Sequence, residues 1–210
     1  MNEKIEILSL SAVPVLWAHT DVYANDNELE FLSRLEEEKL KGNNFLSVRK
    51  DIIRDKQLER FKILFERYLK FYSEEILCIE NKFQLTDSWS TRNPKHSTHH
   101  AHFHYNSMIS GVYYVNSMYG GEFILNLVPI FFKNFQFKLN IKKYNEFNSL
   151  SWTIPAKTGD IILFPSWMDH MVNENLSDID RRIMGFNCFI EGNLGNSADT
   201  DGLDISVNVS

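Results

Sequence analysis

The chain has 210 residues, 43% of them hydrophobic and 13% aromatic, so one large domain with a sizeable core is expected and global disorder is disfavoured. Its 28 acidic and 22 basic residues leave a net charge of −6, which offers no electrostatic footprint for duplex nucleic acid or an anionic membrane. The two cysteines, Cys78 and Cys188, form no CxxC pair or disulfide framework, no run approaches the ~20 apolar residues of a membrane helix, and "MNEKIEILSLS" lacks a secretory pattern, which together predict a cytoplasmic protein.

In chain order, "SAVPVLWAH" (11–19) reads as an apolar opening strand that Pro14 directs to a sheet edge. "DNELEFLSRLEEEKLKG" (26–42) is expected to be a helix, capped by Asp26, striped by Leu29, Leu32 and Leu35, and ended by Gly42. A longer helix is expected within 51–72, where Leu58, Phe61, Phe65, Tyr68, Leu69 and Tyr72 form one apolar stripe for packing on a sheet. From residue 82 the texture changes to short β-rich runs: "KFQLTDSWS", "SMISGVYYVN", "GEFILNLVPIFF", "FQFKLNIKKY", "SLSWTIPA", "DIILFPSW" and "RRIMGFNCFIEG". Turns are expected at Gly120-Gly121, 145–149 and Gly159-Asp160. Helices first and many strands after them predict an α+β, mainly β architecture. One domain is expected over 1–190, with a helical support region (1–80) and a β core (82–190). The tail 191–210 is expected to be flexible, with "LDISVNV" able to add an edge strand.

Five of the seven histidines crowd into "KHSTHHAHFHYNS" (95–107). In a strand, residues i and i+2 share a face about 6.6 Å apart. That spacing would put His100, His102, His104 and Asn106 on one face and His99, Ala101, Phe103 and Tyr105 on the other. Two imidazoles so placed can converge on one cation, with a third ligand from elsewhere. A tag would be terminal, a solvated histidine-rich loop is the competing compositional reading, and a structural zinc site would want nearby cysteines. His170 falls just beyond the buried strand of "GDIILFPSWMDHMV", where a strand-end side chain is placed to face a cavity. Arg182 opens the apolar "RIMGFNCFI" and would be costly there without a carboxylate partner, whereas Arg181 is free to face solvent. A metal with a carboxylate cosubstrate uses all of these groups. Trp89, Trp152 and Trp167 read as core aromatics.

The pieces "TDSWS" (86–90), "HAHFHYNSMISGVYYVN" (100–116), "GDIILFPSWMDHMV" (159–172) and "RRIMGFN" (181–187), in this order, resemble the 2-oxoglutarate- and Fe(II)-dependent oxygenase superfamily, in particular a branch found in bacteria and marine phages. The resemblance implies a double-stranded β-helix (jelly-roll) core with the N-terminal helices packed on it. It implies Fe(II) as cofactor, 2-oxoglutarate and O2 as cosubstrates, and a dioxygenase that hydroxylates its substrate with release of succinate and CO2. It further implies His102, His104 and His170 as metal ligands, with His100 and His102 as the alternative proximal pair and Asn106 as an oxygen ligand in third place. Arg182 would grip the far carboxylate of 2-oxoglutarate, assisted by Tyr114. No acid stands two residues after any histidine of the run, where the superfamily commonly has His-x-Asp/Glu. Met184 replaces a serine that often supports the cosubstrate, and Asn126 stands where relatives often carry an acid. Two further readings remain open, a non-catalytic jelly-roll protein that binds metal and a 2-oxoacid, and a cupin-type metalloenzyme. The segment 133–151 is expected as a lid or substrate loop. Small molecules are the expected partners, a homodimer is left open, and a phage protein would work in the host cytoplasm.

Overall fold

The computed structural model describes residues 12–117, 122–126, 140–195 and 202–208. Two antiparallel sheets dominate. The larger contains β1 (Leu16–His19), β2 (Glu37–Lys39), β3 (Phe45–Ser47), β4 (Lys82–Asn93), β6 (Ile109–Asn116), β9 (Asp160–Pro165) and β11 (Arg181–Leu194) in the order β1-β9-β6-β11-β4-β3-β2, with β12 (Leu203–Ile205) paired to β11. The smaller orders β5 (His99–His102), β10 (His170–Val172), β7 (Phe123–Asn126) and β8 (Ser151–Ile154) as β5-β10-β7-β8. From β4 to β11 the chain crosses repeatedly between the sheets, which makes the two layers a jelly roll, the fold class expected. Pro14 does precede a sheet edge, since β1 is the outermost strand of its sheet, and the edge strand expected from "LDISVNV" pairs Leu203 with Leu194.

The first helix is shorter than its sequence suggests. α1 spans Asp26–Arg34, and its cap is Asn25, not Asp26: Asn25 Oδ1 accepts from the Glu28 amide while the Glu28 carboxylate accepts from the Asn25 amide. Leu35 turns extended (ψ 133°), and residues 37–39 pair with 45–47 in a hairpin. Tertiary ion pairs override the helical propensity of "LEEEKLKG" here, because Glu37 meets Arg92 at 2.8 Å and Arg182 at 3.1 Å. Gly42 ends no helix. It sits where the chain passes Thr98, whose carbonyl oxygen would lie 2.1 Å from any added Cβ.

The second helix is α2 (Glu59–Phe71), preceded by two 3-10 turns and followed by a π turn over Tyr72–Ile76. The expected stripe is buried at Leu58, Phe61, Phe65, Leu69 and Tyr72, with Leu64 added to it. It packs on one face of the larger sheet: the rings of Phe65 and Phe186 stack at 4.4 Å, and Phe61 lies 5.0 Å from Tyr113. Each such buried aromatic contributes about 1.5–3 kcal/mol from area alone. Gly111 leaves room for this contact, since a Cβ there would lie 2.1 Å from the Phe186 ring. The other face of the same sheet joins the smaller sheet in a second core of Val112, Tyr114, Phe123, Leu125, Ile154, Ile162 and Phe164.

β11 and β6 are therefore buried on both faces. Met184, Phe186 and Cys188 point to the helices, while Ile183 points into the roll. Among the described residues no helix is long and apolar enough to cross a membrane. The expected strand over 135–144 falls partly outside the described residues, as do Gly120-Gly121 and the first part of the 133–151 segment; residues 140–144 form no strand. The turn at 145–149 is present, closed by Asn145 Oδ1 accepting from the amides of Phe147 and Asn148.

Candidate metal centre

The smaller sheet sets the histidines by register. His102 lies opposite His170, but His99 lies opposite Val172, so two residues of β5 span one of β10. This bulge breaks the simple alternation expected from the sequence. It brings the His99 and His102 rings together, stacked at 4.4 Å with 18° between planes, and it leaves His100 outside the cluster able to hold a metal. β5 ends at His102, and His104 is carried by a short extended segment fixed by its amide donating to the Ser166 carbonyl at 2.9 Å.

Among the described residues, His102, His104 and His170 form the one group of three or more His, Cys, Asp or Glu side chains placed to share an ion, with ligand atoms all within 4.8 Å of one another. Each ring has its Nδ1 engaged. His102 Nδ1 donates to the His100 carbonyl at 2.8 Å and His170 Nδ1 to the Met168 carbonyl at 3.0 Å. His104 Nδ1 lies 2.7 Å from Asn187 Oδ1 and 2.8 Å from Ser110 Oγ. Protons on Nδ1 leave the Nε2 lone pairs bare, and those of His102 and His104 face each other at 3.4 Å. Two such lone pairs repel unless a cation lies between them, so the donor set fits a metal ion, with outer partners that fix each tautomer.

Electrostatics points the same way. Burial pushes His170 down to about 3 and His104 to about 4, and His102 is also lowered by burial. The rings are therefore neutral near pH 7, the form that ligates. Imidazoles favour Fe, Zn, Cu or Ni, and an all-nitrogen set leaves the full +2 charge of a divalent ion for anionic ligands.

The two arginines at the start of β11 take faces other than those expected of them. Arg182 points to the helix side. Its Nη1 donates to the Leu32 carbonyl at 3.0 Å and to Ser90 Oγ at 2.9 Å, and its Nη2 is 3.1 Å from Glu37 Oε1. Arg181, expected at the surface, is instead 3% exposed. It has the strand parity of Ile183 and Asn187, the face that touches the histidines, and its charge acts on Tyr114 and His99. Tyr114 is on this inner face as expected, fully buried, with its hydroxyl pKa raised by burial. Asn106 is exposed at a left-handed turn (φ 52°), outside the metal-capable cluster. Asn126 donates to Asp169 Oδ1 at 2.6 Å, beside His170. Trp152 and Trp167, expected in the core, are 49% and 62% exposed.

Sequence reasoning missed Asn187 and Ser110, whose signal is strand parity with Arg181 and with Val112. It also missed Thr91 and Asn93. These stand opposite Ile183 and Arg181 on β4, are 1% and 2% exposed, and their Oγ1 and Oδ1 atoms have no hydrogen-bond partner. Buried polar atoms left unpaired beside a buried guanidinium fit an anionic, hydrogen-bonding ligand.

Residues 87–187, just under half of the chain, match a family model described as "Putative 2OG-Fe(II) oxygenase". No curated protein matches the chain. Solved structures similar to it include an oxidoreductase of the 2OG-Fe(II) oxygenase family from Burkholderia pseudomallei, 13% identical with TM-score 0.52, covering 83% of each chain. HygX from Streptomyces hygroscopicus, solved with nickel, 2-oxoglutarate and hygromycin B, is 14% identical with TM-score 0.56, over 84% of this chain and 82% of that one. A prolyl-4-hydroxylase from Pseudomonas putida is also 14% identical with TM-score 0.56, over 85% and 94%. At these identities the structures speak to the jelly roll alone. The family match spans the segments that carry all three histidines and Arg181, so the similarity to that family falls on the part of the chain that builds the candidate metal centre.

Proposed function

We propose that the protein is a 2-oxoglutarate-dependent oxygenase that hydroxylates a small-molecule substrate, with His102, His104 and His170 holding Fe(II). Bound iron would supply O2 activation coupled to oxidative decarboxylation of 2-oxoglutarate to succinate and CO2, with the second oxygen atom going to the substrate. The observation that carries the proposal is the convergence of three neutral imidazoles with Nδ1 engaged and Nε2 bare. The protein's own share is geometry and charge. The Met168 carbonyl, the His100 carbonyl and Asn187 aim the rings, and the second core around Phe164 and Leu125 keeps bulk water from their inner side. In place of the Arg182 of the sequence reading, Arg181 is assigned to the distal carboxylate of 2-oxoglutarate, because it faces the roll and Arg182 is committed to Glu37.

One observation favours a second reading. His104 stands where the superfamily usually supplies an acid, and three neutral donors hold Fe(II) less firmly than two with a carboxylate. A non-catalytic protein that binds metal and 2-oxoacid would then keep the site without turnover. The test measures succinate formed from 2-oxoglutarate under O2 with Fe(II), in parallel with metal binding. Turnover lost in His170→Ala, together with metal affinity lowered on the order of a thousandfold, is the expected result. Metal and 2-oxoglutarate binding without any O2 uptake selects the non-catalytic reading, and turnover unchanged in His170→Ala overturns the ligand assignment.

A further inference from the structure

The ring of His104 is met on its Nδ1 side by a run of serine hydroxyls. Ser110 is on β6, Ser107 lies in the turn that leads into β6, and Ser166 directly follows β9. Ser110 Oγ lies 2.8 Å from His104 Nδ1 and 2.8 Å from Ser166 Oγ, which in turn lies 2.7 Å from Ser107 Oγ. The far end of the run is backbone: Ser107 Oγ donates to the carbonyls of Ile109 at 3.1 Å and Cys188 at 3.2 Å. Ser110 and Ser166 are closed to solvent, and Ser107 is half-buried. The left-handed turn at Asn106 (φ 52°) reverses the chain after His104 and returns Ser107 to Ser166. Ser166 also ties this turn through its backbone, since its carbonyl accepts from the His104 amide at 2.9 Å and its amide donates to the Met108 carbonyl at 3.0 Å.

Counting protons gives the run a direction. A carbonyl only accepts, so the Ser107 proton points away from the ring. Ser107 Oγ is then left to accept from Ser166, and Ser166 Oγ from Ser110. Ser110 can also donate to Asn187 Oδ1 at 2.9 Å, and there too its proton is spent away from the histidine. Either way the Ser110 oxygen is free to accept from His104 Nδ1–H. The opposite direction, which would bring a proton to a bare Nδ1, strips the two carbonyls of the Ser107 hydroxyl. Asn187 cannot set the direction alone, because its amide presents oxygen or nitrogen to the ring by a flip. We infer that Ser166 is a positioning residue for the metal centre: it joins Ser110 to Ser107 and the Cys188 carbonyl in a one-way chain that keeps the proton of His104 on Nδ1 and Nε2 free for the ion. The inference rests on the metal-centre reading and concerns the ligand that stands where the superfamily usually has an acid. A carboxylate offers lone pairs from either oxygen and has no tautomer to fix. A neutral imidazole ligates through Nε2 only while its proton is held on Nδ1.

The test records long-range proton–nitrogen correlation spectra of the full, metal-free chain at neutral pH, which distinguish the two histidine tautomers, with His104→Ala identifying the signals. Wild type should carry the His104 proton on Nδ1. Ser166→Ala, which removes one buried hydroxyl, should show both tautomers. It should also weaken Fe(II) binding without O2 by about tenfold to a hundredfold, read by competition with an indicator dye. Ser107→Ala should move both readouts the same way by a smaller amount, and added to Ser166→Ala it should change nothing further, because the chain is already cut. A Ser166→Ala protein that keeps only the Nδ1–H form overturns the inference even where its metal affinity falls, since that loss would be structural. Wild type with the proton on Nε2 overturns it as well. Should Ser166→Ala not fold, unchanged tautomers in Ser107→Ala have the same consequence. His170→Ala protein that binds Fe(II) as tightly as wild type would instead sink the metal-centre reading itself.

Discussion

The β4–β11 ribbon has two faces, and they treat polar groups in opposite ways. On the helix side, Arg182 is tied to Leu32, Ser90 and Glu37, while Arg92 reaches Glu37 and Asp180 at 2.8 and 2.9 Å. On the roll side, Thr91 and Asn93 keep unpaired atoms beside Arg181, and Asn187 spends its oxygen on a histidine ring. The first face is tied together within the chain by ion pairs, whereas the second buries Thr91 Oγ1 and Asn93 Oδ1 without hydrogen-bond partners. Two adjacent arginines with the same side chain therefore lie in different surroundings: one fastens the helical layer to the sheet, and the other is buried on the roll face.

The largest expected effect separates these two arginines. Arg182→Met removes one partner of a mostly buried ion pair and leaves Glu37 facing a shortened network, which should cost about 3 kcal/mol of stability by denaturant titration. The affinity for 2-oxoglutarate of the fraction that remains folded should not change. A variant that folds with wild-type stability but loses 2-oxoglutarate would reverse the assignment of the two arginines.

The same ribbon explains what could and could not be read in advance. The histidine run was legible because ligands at short spacing on one strand and a strand-end histidine are local patterns. The face that each arginine takes was not. Residues 181–190 are largely buried on both faces, so apolar alternation, the usual guide to strand phase, is lost along "RRIMGFNCFI". The sheet also shifts register against β6 between Arg182 and Ile183. Helical propensity misled at "LEEEKLKG" for a comparable reason, since the partners of Glu37 lie 55 and 145 residues away on β4 and β11. Unpaired Thr91 and Asn93 have no sequence signal, because a missing hydrogen bond is a property of the assembled fold. The order of short strands after helices predicts an α+β, mainly β architecture, and the jelly roll follows from the resemblance carried by 86–90, 100–116, 159–172 and 181–187.

A smaller effect is expected from Asn187, which serves the roll face by orienting a ligand. Asn187→Ala removes the acceptor that holds His104 Nδ1 and leaves that ring to Ser110, so the tautomer with Nε2 bare is less firmly fixed. Metal affinity should fall about tenfold to a hundredfold, the range for outer partners of ligating histidines. Competition against a metal-indicator dye reads this directly. Unaltered affinity would mean that Ser110 alone fixes the ring.

The smallest effect is a pH dependence that belongs to one face only. In metal-free protein, His170 has a folded-state pKa of about 3, against an unfolded value near 6.5, because it is buried among other imidazoles. The unfolded chain thus binds more protons than the folded one as the pH falls. The contribution of the neutral ring to stability is full above about 6.5 and is lost progressively as the pH falls towards 3. At pH 5.5 the loss from His170 alone is on the order of 1 kcal/mol, and His104, also lowered by burial, adds in the same direction. Denaturant midpoints measured between pH 7.5 and 5.5 with a chelator present should therefore drop steadily. His170→Leu should flatten that slope by roughly one proton, whereas Arg182→Met should lower the whole curve without changing its slope. A slope that survives His170→Leu would place the acid sensitivity outside the histidine cluster, and the contrast between the two faces would not extend to protons.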